Sequence, residues 1–155
     1  MCAVRNWEMG TRGVWGTGTV SGDGCFYTGD IGRIDDEHYL YIMGRSKDMI
    51  ISGGYNIYAE EVESVLAAHP MVQEVAVIGV PREKWGEEVK AVIVRKPGME
   101  VSETEIIEFC RARLASYKKP QSIDFVSHLP RSGAGKVAKN KLKEKYWQGF
   151  DRDVH

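Results

Sequence analysis

The sequence predicts an α+β domain in which a small mixed sheet packs with about three helices, preceded by a short β-hairpin. Three observations lead there. Apolar runs of strand length recur at 72–80, 88–95 and 123–126, and the near-continuous Val75-Ala76-Val77-Ile78 reads as buried on both faces. Around them lie three segments with helical rather than alternating spacing of apolar residues. Upstream, 25–35 and 39–43 read as two short strands about the charged turn Asp35-Asp36-Glu37-His38.

Taken in order, residues 1–24 carry six glycines between Gly10 and Gly24 and show no period, so an irregular tail is expected. Gly16-Thr17-Gly18 is only a fragment of a dinucleotide fingerprint, because Ser21 stands where the third glycine belongs. In the stretch 44–58 a charged turn enters a short apolar strand that ends at Gly53-Gly54. Tyr58, Val62, Val65 and Leu66 then share one face, with Glu60, Glu61 and Glu63 where a helix dipole favours acids; a helix over about 59–68 follows, closed by His69-Pro70. The two central strands are joined by a turn at 81–87. After Pro97-Gly98, Ser102-Glu103-Thr104-Glu105 is a capping box. It opens a helix whose Ile106, Ile107, Cys110 and Leu114 face the core and which ends at Tyr117-Lys118-Lys119-Pro120. A glycine-rich loop at 129–136 leads to a basic last helix with Leu142 and Tyr146 one turn apart.

Composition narrows the class. With 155 residues, 43% apolar and 28% charged, the chain builds one or two modest cores. The net charge of −1 hides ten Lys or Arg against two acids within 111–145, a balance that suits anionic partners or a solvated face. Cys2, Cys25 and Cys110 are odd in number and form no CxxC, which argues against a disulfide framework or zinc site and for a reducing, cytoplasmic setting. No apolar run reaches the ~18 residues of a membrane span. His38, His69, His128 and His155 stand singly, so no metal site is expected.

Several residues have chemistry to offer. Asp30, after Gly29, is either a turn former or an acceptor-only carboxylate suited to the paired hydroxyls of a ribose. Arg45 and Lys47 in Gly44-Arg45-Ser46-Lys47-Asp48, with Gly53-Gly54 beyond, make either a plain turn–strand–turn or a hinge beside a ligand; glycine lets another molecule approach the main chain. Pro130-Arg131-Ser132-Gly133-Ala134-Gly135-Lys136 is not a P-loop, since no glycine lies five positions before Gly135 and Val137 replaces the metal-binding Ser or Thr. What remains is a flexible loop with one ammonium group, either solvated or swung to where charge gathers between a carboxylate and a phosphate.

Three separated pieces in one order, Tyr27-Thr28-Gly29-Asp30, the stretch from Gly44-Arg45-Ser46-Lys47-Asp48 to Ser52-Gly53-Gly54-Tyr55-Asn56-Ile57-Tyr58, and Pro130 to Lys136, closely resemble the C-terminal portion of AMP-forming acyl-CoA synthetases. That superfamily also holds luciferases and the adenylation domains of peptide synthetases, and the resemblance covers about 26–147. It implies a two-step reaction: a fatty, aryl or short carboxylic acid and ATP give an acyl-adenylate and pyrophosphate, and the thiol of CoA then displaces AMP. ATP with Mg2+ and CoA are thus implied as substrates, with nothing tightly held by this chain and no nucleic-acid partner. By position, Asp30 matches the ribose-binding aspartate, Arg45 a second nucleotide contact, Lys47 the hinge, Gly53 and Gly54 the pantetheine path, and Lys136 the adenylation lysine. Ala59 stands where the family commonly has proline, a change that costs little at a first helical turn. The resemblance further implies that 1–43 is the tail of a larger N-terminal adenylation domain missing from this chain, that 44–155 is the mobile C-terminal domain, and that the chain alone is idle. Two alternatives stay open: a stand-alone module binding nucleotide, CoA or a protein partner, and an adenylation domain serving a carrier protein. Against the latter, Lys47 stands where peptide-synthetase domains tend to have aspartate.

Overall fold

The computed structural model describes residues 2–5 and 27–148, which fall in two compact units, 1–47 and 48–155. The glycine-rich segment, the Gly16-Thr17-Gly18 fragment, and Cys25 and Phe26 lie outside the described residues.

The first unit is an antiparallel sheet of β1 (Cys2–Arg5), β2 (Tyr27–Ile34) and β3 (Leu40–Arg45), in that order. The hairpin β2–β3 was expected; β1 was not, because four residues are too few to show a period and pairing with β2 creates the strand. At the hairpin turn Asp35 Oδ1 accepts from the backbone N–H groups of Tyr39 (2.9 Å) and Glu37 (3.0 Å), and the first of these does most to hold its carboxyl below the usual range. A 3-10 turn at Ser46–Asp48 follows. The two compact units divide at Lys47/Asp48, and β3 continues through Gly44 and Arg45 before that point.

The second unit contains β4 (Met49–Ser52), β5 (Tyr55–Tyr58), α1 (Ala59–Ala67), β6 (Val72–Arg82), β7 (Gly86–Arg95), α2 (Glu103–Arg111), β8 (Ser122–Phe125) and α3 (Lys139–Tyr146). Strands run β5-β4-β7-β6, antiparallel throughout, and β8 adds to β7 in parallel. One edge of β7 pairs with β6 along its length, while the other is shared by β4 at Gly86 and β8 at Lys90 to Ile93. Both faces of this sheet are covered. Val77, Ala91 and Ile93 join Val62 and Leu66 of α1 and Ile106 and Cys110 of α2, whereas Ala76, Ile78, Val92 and Val94 meet Leu129 and Leu142 of α3. Adjacent residues of one strand therefore enter opposite cores, which is why 75–78 carries no polar alternation. Burial pushes the Cys110 thiol up to about 11, as befits a core residue.

Two local departures from the sequence reading have clear causes. Gly53 (φ +55°) and Gly54 (φ +82°) form a two-residue turn of the primed type, so β4 folds back on a further strand, β5, instead of passing directly to the helix. Helix α2 stops at Arg111, not near Tyr117. The Leu114 N–H still reaches the Cys110 carbonyl (2.8 Å), but beyond it Tyr117 stacks on Tyr55 (4.6 Å between centroids) and Lys118 pairs with Glu61 (2.6 Å), drawing the chain off the helix path. The capping box stands as expected, with Glu105 N–H on Ser102 Oγ and Ser102 N–H on Glu105.

Carboxylates close strand edges that backbone pairing leaves open. Glu63 Oε1 accepts from Val77 N–H (2.6 Å), Glu87 Oε2 from Ile51 N–H (2.8 Å) and Glu103 Oε1 from Ile123 N–H (3.1 Å). Each supplies a buried or half-buried donor with the partner it would otherwise lack.

His69 closes α1 as a buried ring set edge-on to Phe109 (4.7 Å), with Nδ1 accepting from Met71 N–H (3.2 Å). Burial, aided by Arg113 and Lys96 and opposed by Glu105, lowers its pKa from the ordinary value of about 6.5. The unfolded chain therefore takes up the proton more readily, and stability present above that value is lost as pH falls below it. Thermal unfolding between pH 8 and 5 should show wild type losing stability relative to His69→Gln as acidity rises. Parallel curves for the two proteins would refute the assignment.

Candidate functional site

Each of the residues singled out in the sequence occupies one of three places. In the first unit, the register of β2 on β3 sets Asp30 opposite Arg45, and the Arg45 Nε donates to Asp30 Oδ1 at 3.1 Å. Asp30 N–H turns to Thr28 Oγ1 (3.1 Å), so the Tyr-Thr-Gly-Asp sequence fixes its own aspartate. Both side chains are partly exposed and offer an acceptor and a fork of donors side by side. Lys47 sits on the 3-10 turn at the end of this unit.

In the second unit, the Gly53-Gly54 turn lies against the β6–β7 turn. Gly53 N–H donates to the Trp85 carbonyl (2.9 Å), and a Cβ on Gly53 would come within 3.0 Å of the Trp85 ring. Gly53 is thus required twice over, by its left-handed backbone and by the ring beside it. Gly54 opens on space. Beside them is a groove of about 370 Å³ lined by Ser52, Tyr55, Arg82, Trp85 and Tyr117. The stacked Tyr55–Tyr117 pair and the half-exposed Trp85 give it flat apolar walls with a cation at the rim.

Lys136 lies elsewhere, on a loop near α1 and β6. Arg131 and Val137 form an antiparallel bridge; Ser132 N–H donates to the Lys136 carbonyl (2.7 Å), Gly135 N–H to Ser132 (2.9 Å) and Ala138 N–H to Pro130 (2.8 Å). The loop is therefore a hydrogen-bonded turn around left-handed Gly135 (φ +77°), not the slack segment its glycines suggest. Lys136 projects exposed from it, with no carboxylate paired to it among the described residues. Under the loop is a second groove, of about 530 Å³, walled by Glu60, Glu63, Glu74 and Arg131. Burial raises the Glu60 carboxyl, with Lys139 opposing; Glu63 is held by Lys139 (2.8 Å). Helix α3, which follows the loop, is tied to the sheet by Asp124: Lys90 reaches it at 2.9 Å and the Tyr146 hydroxyl donates to it. Burial would raise the Asp124 carboxyl, yet Tyr146, Lys90 and Lys145 together lower it, while burial and that same carboxylate push the Tyr146 phenol up.

The structure thus brings Asp30 to Arg45, sets Gly53 in the wall of one groove with Gly54 next to it in the same turn, and carries Lys136 on a separate loop whose Arg131 and Val137 line another. Sequence reading missed Trp85, Tyr117, Arg131 and Glu87; Arg131 alone had a signal, lying inside a motif already singled out. Among the described residues no three His, Cys, Asp or Glu gather as a metal site, and no helix is long and apolar enough to cross a membrane.

Known proteins are similar to this chain in sequence and in fold. Residues 61–136 fit the model of the AMP-binding enzyme C-terminal domain. A long-chain-fatty-acid–CoA ligase of Mycobacterium tuberculosis, FadD13, is 55% identical over 124 residues, 80% of this chain and 24% of the ligase. Feruloyl-CoA synthase of an Amycolatopsis species is 43% identical over 139 residues, 87% of this chain and 28% of that enzyme. ATP-bound MatB from Rhodopseudomonas palustris superposes with a TM-score of 0.77 at 45% identity, covering 84% of this chain and 26% of that one. For o-succinylbenzoate CoA synthetase (MenE) from Bacillus subtilis, in complex with the acyl-adenylate intermediate OSB-AMP, the TM-score is 0.74 at 44% identity, covering 78% and 25%. The chain spans about a quarter of the length of the relatives it matches. With the motifs in family order, their fold reproduced and the family model matched, the chain belongs to the AMP-forming acyl-CoA synthetases, of which it carries the C-terminal domain.

Proposed function

We propose that this chain works as the mobile C-terminal portion of an ATP-dependent acyl-CoA synthetase, converting a carboxylic acid, ATP and CoA to acyl-CoA, AMP and pyrophosphate through an acyl-adenylate. One observation carries the reading: a small body presents an exposed lysine at one place and a glycine-lined aromatic groove at another. A domain with two separate working surfaces suits a reaction with two separate steps. Asp30 would accept from the ribose hydroxyls and Arg45 would donate to the nucleotide, each exchanging its present partner for the ligand. Lys136 would sit between the acyl carboxylate and the α-phosphate as negative charge concentrates there. Rotation about Lys47 would then replace Lys136 by the Gly53-Gly54 turn, past which a pantetheine arm runs close to the main chain. Mg2+ would arrive on the phosphates of ATP, since the described residues hold no ready cage for it. Relatives whose structures contain ATP or an acyl-adenylate support the nucleotide part, and the acyl pocket would be furnished by residues beyond this chain.

The test is pyrophosphate exchange with a panel of carboxylic acids, run on this chain alone and joined to a large adenylation domain of the family. Exchange in the joined protein and none in the chain alone is the expected result; exchange by the chain alone would overturn the division of labour. The aromatic groove favours a second reading, a stand-alone CoA-binding module. Calorimetric titration of the chain with CoA, AMP and ATP separates the two, with heat from CoA alone favouring the module.

A further inference from the structure

We infer that Arg131 is a positioning residue for Lys136, a role resting on the reading of Lys136 as the adenylation lysine. Its guanidinium makes two bonds in two directions. Nη1 donates to the carbonyl of Gly135 at 2.8 Å, and Nη2 donates to Glu74 Oε2 at 2.7 Å. Glu74 belongs to β6, a strand whose neighbours Ala76, Val77 and Ile78 are wholly buried, so the far end of the bridge is anchored in the most rigid part of the domain.

The near end matters more. The Gly135 carbonyl belongs to the peptide that joins Gly135 to Lys136, and holding it fixes that peptide plane. The next plane, joining Lys136 to Val137, is fixed by Ser132 N–H on the Lys136 carbonyl at 2.7 Å. With both flanking planes held, the direction in which the Lys136 side chain leaves the backbone is set. Gly135, left-handed at φ +77° and directly before Lys136, is free enough in conformation that its carbonyl is where an outside clamp is needed. A planar fork meets the carbonyl and the carboxylate at once; a lysine at 131 would offer a point charge without that geometry.

This clamp adds little to the stability of the fold. Arg131 is 50% and Glu74 35% exposed, and such pairs contribute little to global unfolding. Its effect is local, on a turn that otherwise closes by three short backbone bonds. A precisely placed ammonium group is what transfer between a carboxylate and a phosphate requires, since a misplacement of about 1 Å costs about 100-fold in rate.

The experiment pairs hydrogen exchange on the full chain with kinetics of the synthetase that carries this domain, for Arg131→Gln, Glu74→Gln and the double variant. Amides of Ser132 and Gly135 should exchange roughly fivefold faster in each single variant, with the melting temperature nearly unchanged. In adenylation, kcat should fall roughly 10- to 100-fold while the KM for ATP and for the acid stays put. The double variant should be no worse than Arg131→Gln, because both substitutions break one bridge. Unchanged loop exchange, an undiminished kcat, or losses that multiply in the double variant would each overturn the inference. If instead Lys136→Ala leaves adenylation intact, the underlying reading of Lys136 falls, and the exchange data still decide whether Arg131 holds the loop.

Discussion

Lys136→Ala is expected to lower acyl-adenylate formation by about 10²- to 10³-fold in the synthetase that carries this domain, the loss typical of deleting one preorganised electrostatic partner of a transition state. On the roles proposed above, the thioester step, started from preformed acyl-adenylate, should keep its rate, because the groove at Gly53 and Trp85 contains no part of the Lys136 loop. Lys136 is exposed and its loop is closed by backbone bonds, so the variant should melt with the wild type. Half-reactions measured separately, by pyrophosphate exchange and by CoA-dependent consumption of acyl-adenylate, check this. Equal losses in both would show that the lysine serves the fold or the hinge and not adenylation.

Glu87→Ala should destabilise the second unit by about 1–3 kcal/mol, since it leaves the Ile51 N–H without the carboxylate that now accepts from it. Glu87 is buried, and the backbone pairing of β4 with β7 is confined to Ser52 and Gly86, so this side chain adds a second polar tie between the two strands. It rests on Gly79, where a Cβ would stand 2.8 Å from the carboxylate. Gly79→Ala should accordingly displace Glu87 and destabilise the wild-type protein by a similar amount. In the Glu87→Ala background the same substitution should become neutral or stabilise by up to about 1 kcal/mol, because the crowding is gone and the unfolded chain is restricted. Urea unfolding of the four proteins tests the change of sign; simple additivity would refute it.

Much of the architecture was legible because one physical rule governed each part. Residues 75–78 announced a strand between two cores, and the Ser102–Glu105 box fixed where α2 begins. Its end was misread because Leu114 keeps the helical period, still packs on the core and still donates to the Cys110 carbonyl, although the regular helix ends at Arg111. Strand β5 was hidden because Gly53-Gly54 was read as a plain turn or an approach for ligand, and four residues after it are too few to show a strand period; two consecutive left-handed residues make it a hairpin. At the site, motif order selected Asp30, Arg45 and Lys136, but not what holds them. The pairing of Asp30 with Arg45 depends on strand register, and Glu74 and Arg131 meet across 57 positions with no local pattern linking them.

The carboxylates on Val77, Ile51 and Ile123 have one more consequence. A foreign strand seeking those N–H groups would have to evict a glutamate and then lie with its own carbonyls beside the displaced negative charge. The open side of β6 at Val77 and of β8 at Ile123 is thereby closed to strand exchange between copies, while the glutamate on Ile51 fills a gap inside the sheet, between β4 and β7.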